Sequence, residues 1–393
     1  MEKKEIAIEH YSLIQGGPIH RLLVKLRLDQ PRWKLALIIL SIVWLPLFII
    51  TAINGTLYNG HGLSFLEDYA MQGRLLIGIP MMILIKNLVY RKTPLVLQYV
   101  TEVLMHPIDR EKFMQGALQK AKSRTDSGWR EIILLVLVIV IAISPIKAAT
   151  ILENRSGPGS WLTSPKDGQQ LLSLAGYWVR YISIPIFQYF LLGWLWRYIA
   201  WVILLFQISR IKLKLQPTHP DSSGGLEIIL LSQRNFNLLF VVFGLVISSA
   251  LTAKMVYDGV SFEMIRVQMT GFIIFSIILL LFPLLFFIKQ LIDCKNRGKF
   301  ELSKAGINLS HKFEEGWVKP LRQEDRIAEV GVDSSIHVDY YSIYVFLQQF
   351  RIFPATFSDV LVLGLMLFAP FIPIFFIYFS ITDLLQKLIG LLV

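Results

Sequence analysis

Long apolar stretches, separated by polar and charge-rich segments, set the pattern of this 393-residue chain. Runs of about 18 or more apolar residues are typical of helices that cross a lipid bilayer, whereas membrane β-barrels show alternation over about ten residues. The pattern therefore predicts an all-α, polytopic membrane protein with six or seven transmembrane helices. The predicted spans are 35–52, 74–90, 132–149, a crossing within 171–209, 238–256, 271–291 and a last span that begins near Asp359.

Prolines predict irregularities in two of these spans. The apolar segment 171–209 is too long for one crossing at about 1.5 Å of rise per residue. We therefore expect a surface helix up to about Tyr181, a break at Pro185 and then the crossing. Pro370 and Pro373 lie inside the last span, where the missing backbone donors predict a kink or two half-helices.

Polar segments between the spans indicate how the chain is divided. We expect an amphipathic helix on the membrane surface near the N-terminus and a helical hairpin around Pro107. The aromatic and β-branched residues of 335–350 fit either a strand or a helix. The predicted divisions are an N-terminal cytoplasmic segment (1–33), a transmembrane region with six spans (34–291) and its cytoplasmic loops (91–130 and 208–234), a second cytoplasmic segment (292–357) and a proline-broken C-terminal membrane segment (358–393).

Lysine and arginine are distributed unevenly among the connecting segments. The segments on one predicted side contain 29 Lys and Arg residues, and those on the other side contain 7. Because cytoplasmic loops carry the excess of cations, the N-terminus is predicted to be cytoplasmic. Seven crossings would leave the C-terminus outside, whereas a reversal at the proline break would bring it back to the surface or the inside.

The net charge of +11 comes, in this interpretation, from the same Lys and Arg residues of the connecting segments. The cations act as topology signals and contact anionic lipid head groups, so the expected partner is the lipid bilayer and not nucleic acid. Association with further copies of the chain remains open. The single cysteine, Cys294, excludes an internal disulfide and a thiolate metal cage, and no cofactor is predicted.

Arg197 would lie near the centre of the bilayer if a helix crosses between 184 and 209. An ionised group there costs at least about 3 kcal/mol on insertion scales, so it should face the protein interior or water. Trp194 and Trp201 share its helical face. These three residues could contact an anion in a permeation path. The alternative is an arginine paired with an acid or a carbonyl, or a wrong boundary that makes the tryptophans an interfacial belt.

The segment 215–226 is the richest in turn-forming and polar residues. His219 and Asp221 could bind a cation or take part in acid–base chemistry. Gly224 and Gly225 permit a positive φ or a close approach of the backbone. The structural alternative is that Asp221 or Ser222 caps the following helix while the two glycines form the turn.

A second group of acids and histidine, Asp333, His337 and Asp339, is predicted on the same side of the membrane as His219 and Asp221. Two histidines with carboxylates could ligate a divalent metal ion. Spacing alone is weak evidence, so no metal site is predicted, and His219, Asp221, His337 and Asp339 are only weak candidates for ligands.

Several short motifs are scattered over most of the chain. They are Gly16-Gly17-Pro18, Trp44-Leu45-Pro46-Leu47, Arg74-Leu75-Leu76 with Ile79-Pro80, Trp194-Leu195-Trp196-Arg197-Tyr198, Pro217-Thr218-His219-Pro220-Asp221 with Gly224-Gly225-Leu226, and the prolines of the last span. In these motifs, above all the Pro-Thr-His-Pro-Asp loop, the chain resembles an uncharacterised family of bacterial multi-pass inner-membrane proteins. The resemblance implies a bacterial inner-membrane location. It does not indicate which activity the protein has.

Three functional hypotheses follow. The first is permeation of a small ion or solute, which could be an anion, past Arg197. The second is a membrane-bound enzyme that uses His219, Asp221, His337 and Asp339 at the cytoplasmic face. The third is a membrane scaffold or sensor whose cytoplasmic segments bind a partner. Because the phosphate-loop, His-Glu-x-x-His and Gly-x-Ser-x-Gly motifs are absent from the sequence, permeation is favoured over catalysis.

Overall fold

The computed structural model describes residues 31–58, 63–126, 128–144, 160–166, 169–319 and 334–379, together with Lys25. These parts are mostly helical, with one short β-hairpin, which confirms the all-α prediction. The predicted surface helix near the N-terminus and the end of the chain after residue 379 lie outside the described residues. The predicted division into segments stays a prediction.

Fifteen α-helices account for most of the described chain. They are α1 (Arg32–Val43), α2 (Leu45–Ile53), α3 (Tyr69–Gln72), α4 (Ile79–Tyr99), α5 (Pro107–Phe113), α6 (Gln119–Asp126), α7 (Gly128–Ile143), α8 (Leu174–Trp178), α9 (Ile184–Ser209), α10 (Glu227–Tyr257), α11 (Phe262–Leu281), α12 (Ile288–Phe313), α13 (Ser334–Gln348), α14 (Phe357–Phe368) and α15 (Ile372–Tyr378).

Short segments of wider or tighter helix join several of these helices into longer continuous ones. The π-helical segments are Gly73–Gly78, Val100–Leu104, Met114–Leu118, Val179–Ser183 and Glu314–Val318, and the 3₁₀ segments are Phe282–Phe287 and Ala369–Phe371. The longest continuous helix, Phe262–Gly316, has 55 residues. At about 1.5 Å per residue its length is roughly 80 Å, more than twice the hydrocarbon core of a bilayer.

Five helical runs in the described chain are long and apolar enough to cross a membrane. They are Arg32–Ile53, Leu174–Ser209, Glu227–Tyr257, Phe262–Gly316 and Phe357–Tyr378. This confirms a helical membrane protein. The predicted span 74–90 is helical, and the span 132–149 is helical up to Ile143 in its described part. Neither is among the five, so the total of six or seven crossings stays a prediction.

The predicted break at Pro185 is wrong. Helix α8 continues into α9 through the π-helical segment Val179–Ser183, and Pro185 lies in the first turn of α9. A proline removes one backbone donor and crowds the preceding turn, and a wider π turn relieves that crowding without ending the helix. In the last span, the predicted irregularity takes the form of the 3₁₀ segment Ala369–Phe371, which contains Pro370.

An antiparallel hairpin of β1 (Thr163–Lys166) and β2 (Gln169–Leu172), with Thr163 opposite Leu172, precedes α8. The sequence pattern assigned Leu171 to the apolar span, but it belongs to β2. The hydroxyl of Ser173 then accepts the Gly176 N–H at 3.0 Å and caps α8.

Two further predictions concern the polar segments. Helices occur on both sides of Pro107, as expected, because the chain is extended at residues 105 and 106 and α5 begins at the proline. The ambiguous segment 335–350 is a helix, α13, which packs against α12.

Helix α10 lies at the centre of the fold. It packs against α3, α4, α11, α14 and the π-helical segment Gly73–Gly78. The approach to that segment is close, because a Cβ atom at Gly73 would overlap the Ser249 hydroxyl and one at Gly78 would lie 2.9 Å from Val246 Cγ2. Small residues at helix contacts permit such close packing in membrane proteins.

Candidate functional site

Arg197 lies on α9, where its side chain is partly buried. Its Cζ atom lies 5.5 Å from the centre of the Trp194 ring, and a Cβ atom at Gly193 would lie only 3.1 Å from Nη1. The guanidinium group therefore runs back along the helix, over Gly193 and beside Trp194. The Nε atom of Arg197 is enclosed, with no hydrogen-bond partner among the described residues.

The two tryptophans predicted beside Arg197 have different surroundings. Trp194 is 2% exposed, and its indole N–H donates to the Met82 carbonyl of α4 at 2.9 Å. Trp201 is also buried, but its ring stacks on Phe236 of α10 with centroids 6.3 Å apart. The prediction that this face points into the protein is confirmed. Trp194 belongs to the surroundings of Arg197, whereas Trp201 is part of the core between α9 and α10.

Arg197 belongs to a group of buried and partly buried charged residues from four helices, which we call the basic cluster. Lys86 and Arg197 interact electrostatically with each other, and each interacts with Arg32, Arg130 and Glu131. Arg32, Arg130 and Glu131 are each at most 5% exposed. Arg130 Nη2 and Glu131 Oε1 are 3.4 Å apart. The described basic cluster thus has four cations and one carboxylate.

Helix packing brings these residues together from distant parts of the chain. Arg32 begins α1, and Arg130 and Glu131 lie in the first turn of α7. Helix α1 packs on α4, which carries Lys86, and α9 packs on both α4 and α7. In the sequence, Arg32, Lys86 and Arg130 stand beside apolar runs and resemble the flanking cations of any membrane span. That they meet in one cluster depends on the tertiary packing of the helices, which no local sequence pattern indicates.

An excess of buried positive charge requires compensation. The desolvation cost of a buried ion is several kcal/mol, and an opposite charge with good geometry offsets it. Within the cluster, the Glu131 carboxylate offsets part of the positive charge, and Arg130 Nη2 lies 3.4 Å from its Oε1. Arginine forks and lysine ammonium groups are the usual ligands of phosphate, carboxylate and halide anions in proteins. The basic cluster is therefore suited to bind an anion inside the helical bundle.

The loop between α9 and α10 forms a cap on α10. Asp221 Oδ1 accepts the Ser223 N–H at 2.8 Å, and Asp221 Oδ2 accepts the N–H groups of Gly225 at 3.0 Å and Glu227 at 3.2 Å. His219 Nδ1 lies 2.8 Å from Asp221 Oδ1. Of these donors, the Glu227 N–H begins α10 and is one that the helix leaves without an intrahelical partner, whereas the Ser223 and Gly225 N–H groups belong to the loop itself.

The backbone of the loop fits the structural alternative predicted from the sequence. Ser222, Gly224 and Gly225 have φ values of 51°, 66° and 96°. The two glycines adopt this left-handed region without steric cost, whereas Ser222 does so as a rarer non-glycine case. The interpretation of Asp221 as a cap with a turn at Gly224 and Gly225 is therefore confirmed.

Hydrogen bonding determines the charge state of Asp221. Burial raises the pKa of its carboxyl group, but the backbone N–H groups of Ser223, Gly225 and Glu227 and the His219 side chain lower it by more. The net pKa lies below the ordinary value of an aspartic acid. A carboxylate that accepts several N–H bonds is stabilised in its ionised form.

Cations from the later part of the chain hold this loop in place. Arg351 donates its backbone N–H to the Ser222 carbonyl at 2.7 Å and its Nη2 to the Asp221 carbonyl at 2.6 Å. Arg297 Nη2 donates to the Leu215 carbonyl at 2.8 Å. These bonds join α9, α10, α12 and the segment after α13 at one junction. The geometry therefore gives the turn chemistry of this loop a structural role.

The proposed metal ligands do not form a metal centre in the described residues. No group of three or more His, Cys, Asp and Glu side chains there is arranged to hold a metal ion. His337 stacks on Phe313 with ring centroids 4.9 Å apart, and Asp339 is exposed. Asp333 lies outside the described residues.

Comparisons with known proteins give no assignment. No protein family, curated protein or solved structure matches the chain. Function is therefore inferred from the basic cluster and from the surroundings of its residues.

Proposed function

We propose that this protein conducts a small anion through its helical bundle, with the basic cluster as the anion-binding site on the path. The single observation that supports this function is the composition of that site, in which four cations from four helices interact electrostatically with one another and with the Glu131 carboxylate. Pores and carriers for anions use Arg and Lys side chains in this way.

Burial strengthens this inference. A lysine or arginine at the end of a membrane helix ordinarily extends its charge to the lipid head groups. Arg32 and Arg130 are instead 5% exposed, and the Nε atom of Arg197 is enclosed. A bound anion would add an opposite charge among these cations, and attraction between opposite charges is stronger where water is excluded.

The proposed location is the bacterial inner membrane, with the N-terminus in the cytoplasm. The excess of Lys and Arg on one set of connecting segments supports the orientation, and the resemblance in short motifs supports the compartment. In this orientation Arg32 and Arg130 begin their helices from the cytoplasmic side. The basic cluster would then lie in the inner half of the bilayer, where anions from the cytoplasm would reach it.

Anion efflux from liposomes tests this function. Wild-type protein, Arg197→Leu and Arg197→Lys are reconstituted, and chloride efflux is compared with that of protein-free liposomes. We expect flux in the wild type, a loss of about tenfold or more in Arg197→Leu, and a smaller loss in Arg197→Lys because the charge is kept.

Arg266→Leu is the matched control, because Arg266 is exposed and pairs with Glu263 at 3.0 Å outside the basic cluster. Its flux should equal that of the wild type. Equal fluxes in Arg197→Leu and the wild type, or wild-type flux no greater than that of protein-free liposomes for chloride, nitrate and phosphate, would contradict the proposal.

A further inference from the structure

A second candidate site lies away from the basic cluster, between α12 and α13. The two helices border an open cavity of about 510 Å³. This volume lies within the usual range for small-molecule sites. The residues that line it are Ser303, Gly306, Ile307, Ser310, His311 and Glu314 from α12 and the segment after it, and His337, Tyr340, Tyr341 and Tyr344 from α13.

The α13 wall of this cavity consists of aromatic rings. His337, Tyr340, Tyr341 and Tyr344 are spaced by three or four residues, so they share one face of the helix. The rings of Tyr340 and Tyr344 are stacked with centroids 6.3 Å apart. This face therefore presents several π surfaces to the cavity.

The α12 wall is shaped to receive one of these rings. The Tyr340 hydroxyl donates to the Leu302 carbonyl, and a Cβ atom at Gly306 would overlap the Tyr340 ring. The absence of a side chain at Gly306 thus permits the close contact that fixes α13 against α12. Ser303 and Ser310 lie on either side of Gly306 along the same wall and contribute hydroxyl groups to it.

The charge of the lining indicates the class of ligand. Among the described residues that line the cavity, Glu314 contributes a carboxylate, and none is Lys or Arg. This composition is notable in a chain with a net charge of +11. Aromatic faces attract cations through their quadrupoles, and a nearby carboxylate adds a direct attraction.

One nitrogen atom of a lining residue, His337, also lacks a hydrogen-bond partner among the described residues. This atom, Nδ1, is enclosed. Its ring is held by stacking on Phe313, with centroids 4.9 Å apart. Enclosed polar atoms are normally satisfied by protein, water or ligand. In the neutral tautomer that leaves Nδ1 unprotonated, this atom can accept an N–H.

We propose that the cavity binds a primary ammonium ion, with the Tyr341 and Tyr344 rings against the cation, Glu314 as its counter-charge and His337 Nδ1 as the acceptor of one N–H. This chemistry is shared by small free amines and by the head group of an aminophospholipid. The site is separate from the basic cluster, so it can be present whether or not the protein conducts anions.

Ligand-observed NMR with ethylammonium chloride and purified full-length protein in phosphatidylcholine nanodiscs tests the proposal. The three non-hydrogen atoms of this probe limit its expected Kd to about 1 mM. Ethanol, a neutral probe of similar size, should bind at least about tenfold more weakly. Tetramethylammonium should also bind more weakly, because it has no N–H for His337.

Two substitutions of exposed residues test the contacts without disturbing the fold. Glu314→Gln and Tyr341→Leu should each weaken ethylammonium binding by about five- to thirtyfold. Glu315→Gln is the matched control, because Glu315 is adjacent and exposed but does not line the cavity. Its Kd should equal that of the wild type.

Nanodiscs that contain phosphatidylethanolamine distinguish the two sources of the ligand. Competition with ethylammonium identifies the lipid head group as the occupant, and unchanged binding identifies a free amine. No saturable binding of ethylammonium at 20-fold the expected Kd of about 1 mM, or equal binding in Glu314→Gln, Tyr341→Leu and the wild type, would overturn the proposal. Tighter binding of tetramethylammonium would also overturn it, since the N–H contact to His337 is part of the site.

Discussion

The guanidinium carbon of Arg197 lies 5.5 Å from the centre of the Trp194 ring, which precedes it by one turn on the same face of α9. Trp194 is itself fixed, because its indole N–H donates to the Met82 carbonyl of α4. The tryptophan thus anchors α9 to α4 and sets the direction in which the arginine points. Cation–π contacts of this kind contribute about 0.5–2 kcal/mol, depending on burial.

Replacement of Trp194 by leucine should destabilise the protein by about 2–4 kcal/mol, because it removes a buried ring and a hydrogen bond. Thermal unfolding in detergent measures this change. Trp33→Leu is the control, since Trp33 is 54% exposed and its substitution should change stability by less than about 0.5 kcal/mol. Equal effects of the two substitutions would show that Trp194 does not anchor the helices.

Glu131→Gln should increase the affinity of the basic cluster for anions. The substitution removes the carboxylate that interacts electrostatically with Lys86 and Arg197, so an added anion should contribute more of their counter-charge. We expect the half-saturating anion concentration to fall by about tenfold, which corresponds to about 1.4 kcal/mol. We also expect lower stability at low salt, restored by added phosphate.

The anion dependence of the unfolding temperature measures both effects. Glu263→Gln is the matched control, since Glu263 also pairs with an arginine but is 75% exposed at its side chain. Its unfolding temperature should follow the wild-type dependence on phosphate. A Glu131→Gln protein that phosphate stabilises no more than the wild type would argue against an anion site at the basic cluster.

Asp221→Asn should make the protein less stable at neutral pH and less sensitive to acid. The folded-state pKa of Asp221 lies below its unfolded value, so its ionised form stabilises the fold above the unfolded value of about 3.9. That contribution is lost as the pH falls through the lower, folded-state pKa. Loss of the carboxylate acceptor should cost about 1–3 kcal/mol at pH 7.

Unfolding free energies between pH 2 and 7 check this prediction. The difference between the wild type and Asp221→Asn should be largest near pH 7 and should shrink as the pH falls below the folded-state pKa. Asp258→Asn provides a comparison with an exposed aspartate at the other end of α10. A difference that stays constant with pH would mean that the Asp221 carboxylate is not stabilised in the fold.

Two glycine substitutions should have opposite signs. Gly73→Ala should destabilise the protein by several kcal/mol, because its Cβ atom would overlap the Ser249 hydroxyl at the contact with α10. Gly271→Ala should stabilise the protein by about 0.5–1 kcal/mol, since Gly271 lies inside α11 with open space around it. Unfolding midpoints of the two variants compare the effects directly. Equal signs would contradict the close packing of α10 on the π-helical segment.

Local chemistry made several features predictable from the sequence. The apolar runs identify a helical membrane protein. The residues His219-Pro220-Asp221 with Gly224-Gly225 allowed two interpretations, and one of them was a cap with a turn. The inward face of α9 was also predictable, because a charge inside a span must avoid lipid. Each of these depends on residues that are close in the chain.

The basic cluster was not predictable, because it depends on which helices pack together. Lys86 and Arg130 each look like cations that flank a span, and only the contacts among α1, α4, α7 and α9 join them to Arg197. The continuity of the helix at Pro185 has a similar cause. Ser183 Oγ donates to the Val43 carbonyl at 2.8 Å and holds the π-helical segment against the end of α1.

The reversal potential of the purified protein in a planar bilayer tests anion conduction most directly. Under a tenfold gradient of potassium chloride, an ideally selective channel gives a reversal potential of about 59 mV. The sign of this potential shows whether chloride or potassium is conducted. We predict a potential close to the chloride equilibrium value in the wild type, shifted towards zero in Arg197→Leu. A potential near the potassium equilibrium value, or the same potential in both proteins, would contradict the assignment of the basic cluster as an anion path.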